Sequence, residues 1–565
     1  MKRQTILTGF AVGMFWLAGY SGRGQGKETP SAQQPPTSGS PIHFSSRPIP
    51  FSLDSSETAE KHIPETMAGG VAVFDYDHDG NLDIFFTNGA DISNLKKTSK
   101  NYWNRLFHNN GDGTFTDVTE KAGLAGSGFD IGVAIGDYDN DGNEDIFVAG
   151  VHRNTLYHNN GDGTFTDVTE KAGLSHLDPQ YGPLWSVGAA WVDVNNDGLL
   201  DLFVVNYVSW DGAKEPDCGA IAKRDYCHPR FYKPLPNQLF LNNGDGTFTD
   251  VSEQAGIRTH PGKGMGVCIA DYDGDGLSDI FVANDKLPNF LFHNKGGARF
   301  EEVASDAGVA LPEDGNLISG MGVDFRDLNN DGYPDISVVA LQKETFPVYR
   351  NDGKGSFTEV TGKSGMKLLS MAMSGFSPVI EDFDNDGWKD IFVSRGDVAS
   401  PDMADRVPVG QPNTVFRNLL GERWSALTEY AGFTSQPAKR HRGAAAGDFN
   451  HDGKVDLVVS ALGAAAELWI NDSPNSNHWL ELALRGTKSN RDGIGARIRL
   501  VAGGHAQFNH VSTASGYASS SAGPVHFGLG AAKTVEEIEI RWPSGTIQTM
   551  KGVEADQVLR VQEPK

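Results

Sequence analysis

Cysteine is scarce in this chain, three residues among 565, and none falls into a zinc-binding spacing. Positive charge is short as well. Lysine and arginine number 48 against 73 aspartates and glutamates, a net charge of −25. Nucleic acid and anionic membrane surfaces would repel such a chain, whereas cations would be attracted to it. Beyond the first twenty residues there is no apolar run long enough to span a bilayer as a helix. Also missing are a nucleophile elbow, a phosphate-binding glycine loop and a recognisable catalytic triad.

Glycine, by contrast, is abundant, with 68 residues; an average chain has roughly 7%. The excess points to many tight turns and short strands. A hydrophobic fraction of 38% still permits a packed core. The length calls for several domains, or for one large repeat domain with a smaller companion. At the N-terminus, Lys2 and Arg3 precede an apolar stretch from Ile6 to Tyr20 and a small, polar segment from Ser21 to Gly26. That order is the pattern of a secretory signal peptide, assigned to residues 1–26, with an uncleaved anchor as the alternative. No cysteine lies near the cleavage region to carry a lipid anchor. Residues 27–41, rich in Pro, Ser, Gln and Thr, read as a flexible linker. Export makes a disulfide feasible between Cys218 and Cys227, which lie close together in a loop-like segment, while Cys268 sits in an apolar strand and is expected to be a buried free thiol.

One nine-residue pattern, D-x-[DN]-x-D-G-x-x-D, occurs seven times, starting at residues 75, 137, 193, 271, 327, 382 and 448. The basic unit is about 55 residues, with insertions in some copies. In each unit a small, apolar run leads into the loop and a β-rich run leaves it. A hairpin follows, as in LYHNNGDGTFTDV at 156–168. Four short strands per unit make a propeller blade. The predicted fold class is therefore all-β: a seven-bladed β-propeller over 42–474, followed by a small β-rich domain over 475–562. The seventh unit has no obvious fourth strand of its own. The segment Pro41-Ile42-His43-Phe44 is placed to supply it and close the ring.

The repeated loops carry the chemistry. Calcium takes six to eight hard oxygens at roughly 2.3–2.6 Å. Positions 1, 3 and 5 offer carboxylate or amide oxygens, the glycine at 6 turns the backbone, position 7 offers its carbonyl and the aspartate at 9 closes the cage. The candidate ligands of loop 1 are Asp75, Asp77, Asp79, Asn81 and Asp83, and those of loop 2 are Asp137, Asp139, Asp141, Asn143 and Asp145. Loop 3 offers Asp193, Asn195, Asp197, Leu199 and Asp201, and loop 4 offers Asp271, Asp273, Asp275, Leu277 and Asp279. Loop 5 has Asp327, Asn329, Asp331, Tyr333 and Asp335, and loop 6 has Asp382, Asp384, Asp386, Trp388 and Asp390. Loop 7 has Asp448, Asn450, Asp452, Lys454 and Asp456. Without a cation these packed carboxylates would repel one another, so up to seven Ca²⁺ are expected, held more weakly in the loops with Asn at position 3. An EF-hand would need a Glu at position 12 and flanking helices, and neither is present. The Asn-Gly-Asp-Gly turns at 110–113, 160–163 and 243–246 are explained by turn chemistry without a metal.

The loops and their flanking strands resemble the FG-GAP repeats of integrin-α propellers and the related VCBS repeats. The C-terminal segment resembles the ASPIC/UnbV domain. Its marks are Asn477-His478-Trp479-Leu480, Arg485 to Ala496, Gly516-Tyr517, His526 to Gly530 and Arg541 to Gly545. Together they resemble the cartilage acidic protein family, in a bacterial-type member. That resemblance implies Ca²⁺ on one face of a seven-bladed propeller and a secreted protein of uncertain partner, with adhesion inferred from the integrins.

Inserts at 206–237, 394–413 and 89–104 interrupt the blades and are expected on the face opposite the loops. Within the first, Arg224, Tyr226, His228, Arg230, Tyr232 and Lys233 form a basic, aromatic run in an acidic chain. It reads first as a disulfide-pinned cap over the propeller, and second as a grip for an anionic sugar or a peptide. Arg395-Gly396-Asp397 matches an integrin-recognition tripeptide that recurs often by chance, and Lys439-Arg440-His441-Arg442 is either a channel-facing group or a solvated turn. The functional expectation is a secreted calcium-binding module for a glycan or protein partner. The alternatives are a calcium-dependent polysaccharide lyase, with cations and bases drawn from residues 223–233, and a structural cell-envelope component.

Overall fold

Each repeat folds as an antiparallel four-stranded unit, seven among the described residues, the first of them widened to six strands by a hairpin from the C-terminal domain. The second is representative: Phe129–Gly136, Asp145–Val151, Thr155–Asn159 and Phe165–Asp167, hydrogen-bonded in that order. Its first two strands are buried along their whole length, which explains why they read as continuous apolar runs rather than alternating ones. In all seven sheets the aspartate at loop position 9 is the first residue of the second strand. The first strands of successive sheets touch in a closed cycle, the seventh (His441–Gly447) returning to the first (Val71–Phe74). The computed structural model describes residues 40–175, 177–220, 223–400 and 408–565. The expected signal peptide and nearly all of the linker lie outside these residues.

The seventh sheet takes its outer strand from the N-terminus. That strand is Phe44–Ser52, antiparallel to Ala465–Asn471, with Phe44 opposite Asn471. It begins where the expected closing segment, 41–44, ends. The earlier residues serve as anchors instead: Ile42 is fully buried and packs in one cluster with Phe44, Phe433 and Trp469.

The C-terminal domain is a sandwich of a three-stranded and a four-stranded sheet. Leu480, Leu482, Ile498, Leu500, Phe527, Ile538 and Trp542 form its core. Its boundary extends past the expected residue 562. Glu563 is buried, and its carboxylate accepts from the backbone N–H groups of Thr487, Lys488 and Ser489 at 2.8–2.9 Å.

This domain sends a hairpin, Ala514–Ser515 and Ser519–Ser521, into the axis of the propeller. Ser520 pairs with Ala72 in parallel, and Gly516 exchanges backbone hydrogen bonds with Val323. The hydroxyls of Ser519, Ser520 and Ser521 accept from the N–H groups of Val71, Ile135 and Ala446. Inner strands of a ring present unpaired backbone donors to the channel, and buried donors need acceptors. The serines supply them. Close approach requires glycine on the propeller side: a Cβ on Gly70 would lie 2.3 Å from the Ala518 carbonyl oxygen. Tyr517 at the tip is fully buried, and its hydroxyl donates to the Met67 carbonyl at 2.6 Å.

Candidate metal centres on the loop face

The seven loops share one geometry. The carboxylate at position 1 accepts from the N–H of the glycine at position 6, at 2.7–3.0 Å in every copy. That glycine has φ between +77° and +99°, a left-handed conformation that side chains adopt at a cost. At position 9 one oxygen accepts from the N–H of position 2 at 3.0–3.3 Å. The other accepts from the N–H of an asparagine at, or in the sixth sheet one residue before, the end of the third strand, at 2.7–2.9 Å. Position 9 is thus a structural anchor as well as a candidate ligand. Positions 1, 3 and 5 converge in loops 1 and 2, where Asp75, Asp77 and Asp79, and Asp137, Asp139 and Asp141, are close enough to share an ion.

Electrostatics favour a cation in these cages. Burial, with help from neighbouring carboxylates, pushes Asp83 and Asp201 up to about 8. Asp137 is also pushed up to about 8, first by burial and then by Asp492 of the C-terminal domain. Asp145 rises to about 7 through burial. Clustered carboxylates out of water favour the neutral form unless positive charge enters among them. The side-chain and carbonyl oxygens of each loop fit a hard divalent ion such as calcium.

Some of the positive charge is built in, which the sequence did not reveal. In loop 6, Arg417 binds Asp384 and Asp386, each at 2.7 Å. In loop 4, Arg497 of the C-terminal domain binds Asp271 at 2.9 Å. Loops 1, 2 and 4 each place a histidine (His108, His158, His293) against the carboxylates of positions 3 and 9. Calcium prefers oxygen ligands, so these imidazoles suit the role of partner to the carboxylates rather than of ligand.

The asparagines are the second group that sequence reasoning passed over. Asn109, Asn159, Asn242, Asn294, Asn351, Asn418 and Asn471 each send their Nδ2 to a position-2 carbonyl of the preceding sheet, at 2.7–3.1 Å. They clasp every sheet to its neighbour around the ring. The signal was available: each is the first asparagine after the third-strand apolar run, at the same place in all seven repeats.

The insert at 206–237 meets other segments of its own face. Cys218 and Cys227 are joined as a disulfide, with Cα atoms 5.3 Å apart. Tyr226 donates to Glu57 and Glu65 at 3.3 and 3.1 Å, and Tyr232 and Trp210 donate to Glu215. Arg224 pairs with Asp217 at 3.0 Å. The backbone N–H of Ser400, from the insert at 394–413, donates to Asp225; residues 401–407 of that insert lie outside the described set. His228, Arg230 and Lys233 remain exposed, with Arg230 over the Phe231 ring at 4.9 Å. Cys268 is a buried free thiol. Arg395 and Asp397 are both buried, hydrogen-bonded to Gln411, Thr414 and Ser374, so the tripeptide is not displayed. Arg442 is neither a solvated group nor an open channel lining. It is fully buried, with its guanidinium 3.8 Å from the centre of the Phe376 ring and donating to the carbonyls of Thr66 and Asp397.

A ring of four-stranded sheets with an acidic loop between the first two strands of each defines a β-propeller of the FG-GAP type. The family model for the FG-GAP-like repeat matches residues 75–148, 137–204, 230–282, 271–338 and 327–393, and that for ASPIC and UnbV matches 486–565. The chain belongs to the FG-GAP-repeat proteins that carry an ASPIC and UnbV domain, the architecture of the cartilage acidic protein family. It is 26% identical to cartilage acidic protein 1 of Homo sapiens over 530 residues, covering 89% of this chain and 73% of that protein. Identity to the Mus musculus protein is 27% over 531 residues, covering 89% and 75%. Integrin alpha-4 of Xenopus laevis matches over 166 residues at 26%, covering 26% of this chain and 15% of the integrin. Among solved structures, rhamnogalacturonan lyase YesW aligns at 14% identity over 76% of this chain and 75% of its own, with a TM-score of 0.37, too low to carry any further argument.

Proposed function

We propose that this chain is a secreted, calcium-loaded binding module that presents a rigid propeller to an extracellular protein or glycan. The observation that carries this reading is the sevenfold repetition of one carboxylate cage, set by identical backbone hydrogen bonds, in which burial raises the aspartates of positions 1 and 9 above their ordinary range. Loops that served only as turns would have no use for so many buried carboxylates. The disulfide in the insert and the signal-like N-terminus support export. A lyase would need a free base in that same insert. Burial and the carboxylates of Glu57 and Glu65 push the Tyr226 phenol well above its ordinary value, and burial and Glu215 do the same to Tyr232. Neither phenol is placed to take a proton near neutral pH, which leaves the exposed His228, pushed below its ordinary value first by burial, as the base that reading would have to use.

In this reading the oxygens of loops 1 to 7 hold the ions, and the ions neutralise the cages and stiffen the face on which the C-terminal domain rests. Elemental analysis of exported, desalted protein should find several calcium ions per chain. A content below one ion per chain would remove the metal assignment.

A further inference from the structure

The seven loops are latched to one another at six of their seven junctions. The residue at position 4 is left-handed in every copy, with φ between +54° and +81°. From there its side chain reaches the next loop. His78 contacts Asn143 at 3.2 Å, and Asn140 and Asn196 donate to the carbonyls of Gly198 and Gly276 at 2.9 and 3.0 Å. Asn330 and Asn385 donate to those of Gly387 and Gly453, both at 2.9 Å, and His451 contacts Asn81 at 3.1 Å. Between loops 4 and 5 the latch is missing, because position 4 of loop 4 is Gly274.

A cavity of about 420 Å³ opens at that junction, lined by loops 4 and 5 and by the facing sheet of the C-terminal domain. Small-molecule sites typically span roughly 300–1,000 Å³. Two half-buried aromatic residues, Tyr333 and Phe508, are among those that line it, their rings lying against Gly353 and Gly332. Residues with planar polar groups line it beside them: Arg497, whose guanidinium also holds Asp271 at 2.9 Å, with Asp273, Asp331 and Asn509. Such groups offer paired donors and acceptors at fixed spacing, which suits neighbouring hydroxyls on a ring. Charge narrows the choice further. Arg499 and Arg541 lie on the same wall as Glu539, opposite loops whose four and three aspartates outnumber the two charges of one bound calcium each, so a strongly charged ligand of either sign would meet like charge. A neutral, hydroxyl-rich ligand would not.

We infer that the unlatched junction between loops 4 and 5 is a binding site for a neutral saccharide of about one or two rings. This rests on the binding-module reading and assigns it a site and a ligand class. The test uses the full exported chain, calcium-saturated, with saturation-transfer NMR and calorimetry against cellobiose, lactose, maltose, mannobiose and chitobiose. Digalacturonate is the charged comparison. Gly274→Asn installs the residue that the neighbouring junctions use. A Cβ there meets only the Arg497 guanidinium, at 3.5 Å, so the variant should fold and close the gap. Tyr333→Leu keeps the bulk and the backbone carbonyl but removes the aromatic face.

At least one neutral disaccharide should bind the parent protein and lose about tenfold or more in affinity, 1.4 kcal/mol or more, in both variants. Gly274→Asn should keep its calcium content and melting temperature. If none of the neutral disaccharides binds, or digalacturonate binds in preference, the ligand class is wrong. If a saccharide binds the parent and both variants equally, the site is wrong while the binding-module reading stands.

Discussion

The asparagine clasps can be tested one residue at a time, because a buried clasp and an exposed neighbour are adjacent in sequence. Asn159 is fully buried. Its Nδ2 donates to the Tyr76 carbonyl at 2.9 Å and the Glu144 carbonyl at 3.2 Å, and its Oδ1 accepts from the Gly161 N–H at 3.1 Å. Asn159→Ala keeps the backbone bond to Asp145 but strands two carbonyls, while the N–H of exposed Gly161 can turn to water. Each unsatisfied buried group costs about 1–3 kcal/mol, and water admitted to the small cavity offsets part of it. The expected loss is about 3–5 kcal/mol. At an unfolding entropy of roughly 2 cal/mol/K per residue, a cooperative unit of about 500 residues should lose about 3–5 °C in melting temperature. Asn160 is exposed and bonds only within its turn, to Thr164 and Thr166. Asn160→Ala should cost less than about 1 kcal/mol. Scanning calorimetry of both variants in excess calcium measures the difference. If the two melt within a degree of each other, the clasp does not hold the sheets together and the ring is stable for other reasons.

Calcium removal should interact with pH in a defined direction. In the ion-free cages Asp83, Asp137 and Asp201 sit at about 8, against about 3.9 in an unfolded chain. The folded state therefore holds extra protons between these values, so its stability in EDTA should fall as pH rises from 5 to 8. Bound calcium should flatten that slope and add roughly 2.7 kcal/mol per site at a hundredfold excess over Kd. A calcium-induced gain in melting temperature that fails to widen with pH would contradict the cage electrostatics. Thiol mapping of exported protein should find Cys218 and Cys227 bonded and Cys268 alkylated only after unfolding; three free thiols would contradict the insert structure. Gly70→Val should crowd the Ala518 carbonyl and lower stability by at least about 2 kcal/mol, read by denaturant unfolding, and a neutral result would mean that the hairpin is not seated in solution. Asp397→Ala should destabilise rather than change cell adhesion, because it removes a buried partner of Ser374.

The sequence by itself determined the repeat, and with it the all-β class and the cages. A loop that needs oxygens at fixed spacing and a glycine at position 6 writes its requirements into nine consecutive residues, so seven copies in phase could be read without coordinates. Strand composition was equally local, since the runs flanking each loop are largely buried on both faces and mostly apolar. The outer strand of the seventh sheet was legible as a missing piece, but not its extent, because pairing with Ala465–Asn471 is set by register across more than four hundred residues. The clasping asparagines repeat in the sequence, yet nothing local says that an amide at that place reaches the preceding sheet. Only the tertiary structure revealed the hairpin at 514–521 in the channel. Its serines look like an ordinary polar turn until they face the inner strands, where they accept from the N–H groups of Val71, Ile135 and Ala446. The same holds for Arg497: a cation enters an acidic loop from more than two hundred residues away, and its pairing with Asp271 exists only once the C-terminal domain has docked on the ring.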